Sequence, residues 1–191
     1  MGEDLAALLA EVRSCRLCHE QLPLGARPIL RASPTARLLI VGQAPGTRVH
    51  ESGIPWSDRS GDRLRGWLGL DKATFYDEAR IAIIPVGMCY PGRVEGGGDL
   101  PPRPECAPLW HPRLFAVLEA VQLTLVVGSH AQATLLGTRQ MTETVRAFES
   151  YLPRHFPLPH PSWRTTAWER KNPWFGAGLL PELRARVRTL L

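Results

Sequence analysis

Leu5, Leu8, Leu9 and Val12 recur at the three- and four-residue spacing of one helical face, which predicts an amphipathic helix over residues 3–13 leading to Cys15. Residues 37–41 are an apolar run of strand length that stops at Gly42. A loop punctuated by Pro45, Gly46, Gly53 and Pro55 follows, and then residues 60–68 place Leu64, Trp67 and Leu68 on one face of a helix. A second strand is predicted over residues 81–86, where Pro85 argues for an irregular end or a sheet edge. Residues 90–108 read as a long loop, dense in Pro and Gly and including Gly96, Gly97 and Gly98. Next come a helical pattern over 113–121, an unbroken apolar strand over 123–127, Gly128, and a helix over 129–136 with Ser129 as its N-cap. A weaker helix over 142–151, a short strand at 156–158 and a closing helix over 181–190, with Pro181 in its first turn, complete the pattern.

Strands alternating with helices predict an α/β fold: a three-layer α/β/α sandwich around a short, mostly parallel central sheet. A chain of 191 residues suits one substantial core, so a single domain spanning residues 1–191 is expected. In such sheets ligands bind where loops leave the carboxyl ends of strands, and Gly42 and His160 both fall there.

Composition narrows the class. Hydrophobic residues make up 44%, no apolar run approaches the ~20 residues that span a bilayer, and the start Met1-Gly2-Glu3-Asp4 lacks the basic and apolar stretches of a secretory signal. A cytoplasmic protein without a membrane partner is expected. The net charge of +5 favours a polyanionic partner, and most of the basic excess is arginine, whose planar fork suits phosphate. Arg184, Arg186 and Arg188 read as solvated cations at the end of the last helix.

Cys15, Cys18, Cys89 and Cys106 are the four cysteines. Two residues separate the first pair, which lets one turn of backbone present two sulfurs to one ion or cluster, and the second pair is flanked by Pro and Gly. Four cysteines would make a sparse disulfide framework, so metal ligation is the preferred reading. Spacing accepts either zinc or an iron-sulfur cluster, and buried free thiols are the remaining alternative.

Four short motifs lie around these thiols: Gly42-Gln43-Ala44-Pro45-Gly46, Gly53-Ile54-Pro55-Trp56, Val127-Gly128-Ser129-His130-Ala131 and His160-Pro161-Ser162. In this order, with the cysteines interleaved, they resemble the uracil-DNA glycosylase superfamily, most closely its iron-sulfur branch, family 4. The resemblance implies a monofunctional DNA glycosylase that flips a uracil or another deaminated or damaged base out of DNA and hydrolyses its N-glycosidic bond, for base excision repair. It implies a structural [4Fe-4S] cluster held by Cys15, Cys18, Cys89 and Cys106. The 42–46 segment is similar to the water loop, so Gly42, Gln43, Ala44, Pro45 and Gly46 are expected against the base. Trp56 stands where the family stacks an aromatic ring on the base, and His160 where a catalytic donor stabilises the departing anion.

The DNA partner would be gripped by Ser162, Trp163 and Arg164, with Trp163 able to wedge into the base stack. Trp174 and Phe175 are expected to pack their loop against the domain. A monomer is expected, and no lysine in a motif position suggests lyase chemistry.

Two departures from the family pattern matter. The family's water-activating carboxylate, aspartate or glutamate, is replaced by Ala44 and Gln43. Asp58 is therefore the first candidate for that role, ahead of Glu51 and Asp62, although it also reads as a helix cap. The uracil-reading asparagine is replaced by Pro85, which has neither a side-chain donor nor an N–H. A different or wider set of damaged bases follows, and the alternative is an iron-sulfur DNA-binding protein of the same fold with weak or no catalysis.

Overall fold

Four short strands, buried along nearly their whole length, form the centre of the computed structural model, which describes residues 4–191. The strands are β1 (Leu38–Val41), β2 (Ile81–Ile83), β3 (Leu123–Val127) and β4 (His155–Leu158). They lie in the order β2-β1-β3-β4, and every pairing is parallel. Leu38 aligns with both Ile81 and Leu123, and Leu125 with Phe156.

Apolar runs with no polar alternation are what a sheet covered on both faces requires. Leu39, Val41, Ala82 and Val126 point to one face, where α1 (Leu5–Ser14) and α5 (Cys106–Ala116) supply Leu8, Val12, Trp110 and Leu114. Leu38, Ile40, Leu125, Val127 and Phe156 point to the other face, against α3 (Arg59–Leu68) and α9 (Leu180–Leu190), which supply Leu64, Leu68, Leu183 and Val187. The result is the expected three-layer sandwich. Each such fully buried aliphatic side chain contributes roughly 1.5–3 kcal/mol.

Both strand prolines are explained by position. β2 is an edge strand that stops at Ile83, two residues before Pro85, and Pro157 lies in β4, the opposite edge. The first helix spans Leu5–Ser14, with Asp4 accepting a hydrogen bond from the Ala7 N–H at 3.0 Å, and residue 3, the expected start, lies outside the described residues. Gly128, with φ at +88°, stands at the cap of α6 (Ser129–Leu136), so Ser129 is the first helical residue and not the cap.

Other expectations need correction. Residues 106–108 are helical, because α5 begins at Cys106, seven residues before the expected start; Pro108 falls in the first turn, where an N–H has no intrahelical partner. Two helices occupy stretches expected to be loop, α2 (Thr47–Ser52) and α8 (Thr165–Lys171), and a further short helix, α4 (Lys72–Phe75), lies where no element was predicted. The expected 142–151 helix is α7 (Met141–Arg146) followed by a 3₁₀ turn at Phe148–Tyr151. A π-helical turn, Phe175–Leu179, leads into α9. Arg184 is not simply solvated: it donates to the carbonyls of Trp67 and Gly66 at 3.0 Å each, closing the end of α3. No helix among the described residues is long and apolar enough to cross a membrane.

Candidate active site

The parallel ladder between β1 and β2 continues past both strand ends. The Ile84 N–H donates to Ile40, the Val86 N–H to Gly42 and the Gly87 N–H to Gln43, at 2.9–3.0 Å. Pro85, having no N–H, sits in the gap between these donors, and its carbonyl accepts from Nε2 of buried His111 at 3.0 Å. The 42–46 loop, Pro85, Trp56, Asp58, His160, Ser162, Trp163 and Arg164 all line one cleft of about 660 Å³. His160, Asp58, Trp56, the 42–46 loop and the 162–164 segment are therefore in one place, at the carboxyl ends of the strands. The volume lies within the ~300–1,000 Å³ common for ligand sites.

Trp56 is held in a left-handed backbone conformation, φ +57°, which a bulky residue adopts only when its surroundings dictate it. Its carbonyl accepts from Tyr76 Oη at 3.0 Å and from buried Arg65 at 3.3 Å. Gly61 of α3 lies under that carbonyl, and a Cβ there would stand 1.8 Å from the oxygen. Helix propensity alone makes Gly61→Ala stabilising by about 1 kcal/mol. The clash is larger, so Gly61→Ala is expected to destabilise the fold by roughly 1–3 kcal/mol and to displace Trp56. Thermal unfolding checks this, and an unchanged or raised melting temperature would contradict it. The Trp56 ring packs over Gly42, where a Cβ would meet it at 2.7 Å, and lies 5.7 Å from the His160 ring.

His160 leaves β4 and backs onto Gly128, where a Cβ would be 3.2 Å from the histidine Cβ. Its carbonyl is bound by the Ser162 N–H at 2.8 Å and by the Thr165 hydroxyl, which folds the 160–165 turn tightly. Burial holds the His160 pKa below the usual histidine value; the Asp58 charge pulls it up and His130 pushes it down. The ring is neutral at pH 7, so it carries one N–H donor.

Asp58 is in the cleft and also caps α3, its Oδ1 accepting from the Gly61 N–H at 2.9 Å. Of the weaker candidates, Asp62 is tied to Arg65 at 2.6 Å, and Glu51 is exposed and does not line the cleft.

Sequence reasoning passed over several contributors. Arg63 of α3 donates to the Ser162 carbonyl and the Thr166 hydroxyl, both at 2.9 Å, and pairs with Glu169 at 2.8 Å, so it braces the 160–166 segment. Nothing in its local sequence marks it. Arg93 and Asp99 flank the three glycines and, with them, line the cleft; the composition marked the glycines but not these two side chains. The Gln43 side chain donates to the Leu100 carbonyl at 3.2 Å, tying this segment to the 42–46 loop. Trp163 is 79% exposed at the rim, with the Arg164 guanidinium 5.6 Å from its ring centre. Phe175 is buried and Trp174 packs among Trp168, Phe175 and Arg146, in the packing role expected of them.

The four cysteines are unpaired thiols that line a second, smaller cavity on the α1–α5 side. Burial, and the nearness of the other thiols, pushes both the Cys89 and Cys106 pKa up to about 11. The Cys106 Sγ accepts the Met88 N–H at 3.4 Å. Among the described residues no three His, Cys, Asp or Glu side chains converge closely enough to hold a single ion. Four thiols around one cavity are nonetheless a donor set that suits an iron-sulfur cluster.

Residues 31–184 match the model of one protein family, the Uracil DNA glycosylase superfamily. The matched segment contains the whole parallel sheet and all of the cleft lining except Ile29, and begins after Cys15 and Cys18. With that match covering most of its length and the strand-end cleft where the family's motifs meet, the chain belongs to the uracil-DNA glycosylase superfamily.

Proposed function

We propose that this protein is a monofunctional DNA glycosylase that hydrolyses the N-glycosidic bond of uracil or another deaminated or damaged base, as the first step of base excision repair. The observation that carries the reading is the meeting of the 42–46 loop, Trp56 and His160, three distant segments, around one cleft roomy enough for a flipped nucleotide. Duplex DNA shields the bond, so the nucleotide is flipped out of the stack. Trp56 stacks on the flipped base, the 42–46 backbone bounds its edge, and His160 donates its N–H to a base carbonyl as negative charge develops there. Asp58, close enough for its charge to act on His160, supports the oxocarbenium character of the sugar electrostatically.

At the rim, Ser162 and Arg164 hold phosphates and Trp163 fills the space that the flipped base leaves. Arg164→Ala is expected to weaken DNA binding with little dependence on sequence and to reduce the slope of log K against log salt by about 1. A titration at several salt concentrations checks this, and an unchanged slope would remove Arg164 from the phosphate contacts.

Cys15, Cys18, Cys89 and Cys106 would hold a [4Fe-4S] cluster, placing the chain in the iron-sulfur branch. When bound, the cluster supplies cross-linking, tying the N-terminal segment to α5 and to the segment after β2, and takes no part in the hydrolysis.

Specificity differs from that of a uracil-only enzyme. Pro85 lines the cleft with neither an N–H nor a side-chain donor, and its carbonyl is occupied by His111. Hypoxanthine and xanthine are therefore expected among the substrates beside uracil. Oligonucleotides carrying each base, single- and double-stranded, test this: cleavage of any supports the reading, and tight binding without cleavage favours a DNA-binding protein instead.

A further inference from the structure

Hydrolysis needs a group to take the proton from the attacking water, and the 42–46 loop carries no carboxylate. Two carboxylates line the cleft, Asp58 and Asp99. Asp58 commits one oxygen to the start of α3. Asp99 is differently placed. It closes a turn that begins at Arg93, held by the Val94 N–H on the Gly98 carbonyl and the Leu100 N–H on the Gly92 carbonyl, both 2.9 Å. Gly96 and Gly98, with φ of +80° and +44°, let the chain double back. Gln43 fixes the far end of the turn through Leu100, which sets the Asp99 carboxylate against the 42–46 loop. Oδ2 stands 3.4 Å from where a Cβ on Gly46 would lie.

The rest of the carboxylate is lightly held. Its ion pair with Arg93 is 4.0 Å long, beyond hydrogen-bond distance, and its side chain is 39% exposed, open to water. Such a pair contributes about 0–1 kcal/mol, too little to make Asp99 a structural necessity. The charged groups facing it are Arg93 from its own turn, Asp58 from the start of α3, and Arg164, which reaches the two glycines before it. Burial, and then the Asp58 charge, raise its pKa while Arg93 lowers it. Its conjugate base is accordingly stronger than an ordinary aspartate.

Resting on the glycosylase reading, we propose that Asp99 is a catalytic residue, the general base for the attacking water. The water oxygen bonds to C1′ of the deoxyribose as the C1′–N bond breaks. The electron pair of that bond leaves with the base, whose carbonyl His160 holds, and the water's proton passes to the Asp99 carboxylate and then to solvent. The departing base anion takes up a proton from solvent, so the products are the free base and an abasic sugar. Because the base must be ionised, the rate rises with pH through the Asp99 pKa, and burial moves this acid limb upward from the ordinary aspartate value. His160 adds no such limb, since either of its protonation states donates.

The test is single-turnover base release, at several pH values, from uracil, hypoxanthine or xanthine oligonucleotides by wild type, Asp99→Asn and Glu95→Gln. Binding of a tetrahydrofuran abasic-analogue oligonucleotide is measured in parallel. Asp99→Asn is expected to release base about 10²-fold more slowly, to lose the acid limb and to bind as wild type does. Glu95→Gln, the same charge change in the same turn, is expected to match wild type. A wild-type rate and acid limb in Asp99→Asn, or a loss of rate matched by an equal loss of binding, would overturn the assignment and leave the glycosylase standing. A wild type that releases none of the bases overturns both.

Discussion

His160→Ala is expected to slow base release about 10²–10³-fold, the loss seen when one preorganised donor to a developing oxyanion is removed. The ring is half-buried at the end of β4, held from behind by Gly128 and 5.7 Å from the Trp56 ring. It is preorganised rather than recruited, and burial keeps it neutral at neutral pH. A neutral donor gains most when the base becomes an anion, so the effect falls on the chemical step and little on binding. Single-turnover rates and binding to an abasic-analogue oligonucleotide separate the two. Equal losses in both would mean that His160 shapes the cleft and does not act on the base.

The second large effect falls on the thiols. If all four hold one cluster, replacing any of them removes the cross-link, and Cys18→Ser should be as damaging as Cys106→Ser. If they are ordinary thiols, the two differ. Cys106 accepts the Met88 N–H and packs against the buried core beside α1, so its replacement would cost roughly 1–3 kcal/mol. Cys18 is half-buried in the turn after α1, and its replacement would cost about 1 kcal/mol or less. Ligation instead predicts loss of about four irons per chain in either variant. Metal binding is coupled to folding, so a loss of several kcal/mol would lower the melting temperature by more than about 10 °C in a chain of this size. Iron and sulfide analysis with thermal unfolding of both variants checks this, and an iron-free wild type, or a Cys18→Ser variant as stable as wild type, would contradict ligation.

Much of this was legible in the sequence, for a physical reason. A strand covered on both faces must be apolar throughout, so residues 38–41 and 123–127 announced themselves, and Gly42 after the first of them marked where a loop of the cleft begins. The start of α5 was hidden by Pro108, since a proline in the first helical turn has the same local signature as one in a loop. Helices α2 and α8, six and seven residues long, are too short for periodicity to register. Trp56, His160 and the 42–46 loop could be read as cleft residues because they sit in contiguous motifs. Arg63, His111 and Asp99 could not, because each acts across a distance in sequence that only the fold closes: Arg63 on Ser162, His111 on Pro85, Asp99 on the 42–46 loop. Gln43 illustrates the limit of motif reading. Its side chain is spent on the Leu100 carbonyl, an arrangement its place in the motif does not announce.

Direct detection of the free base tests the central claim most closely. Wild-type protein, purified anaerobically, is incubated with a uracil-, hypoxanthine- or xanthine-containing oligonucleotide, and the products are separated by mass before any alkali treatment. The account predicts a free base together with an unbroken strand carrying one abasic site. An oligonucleotide recovered intact with its base attached, despite tight binding, would contradict it.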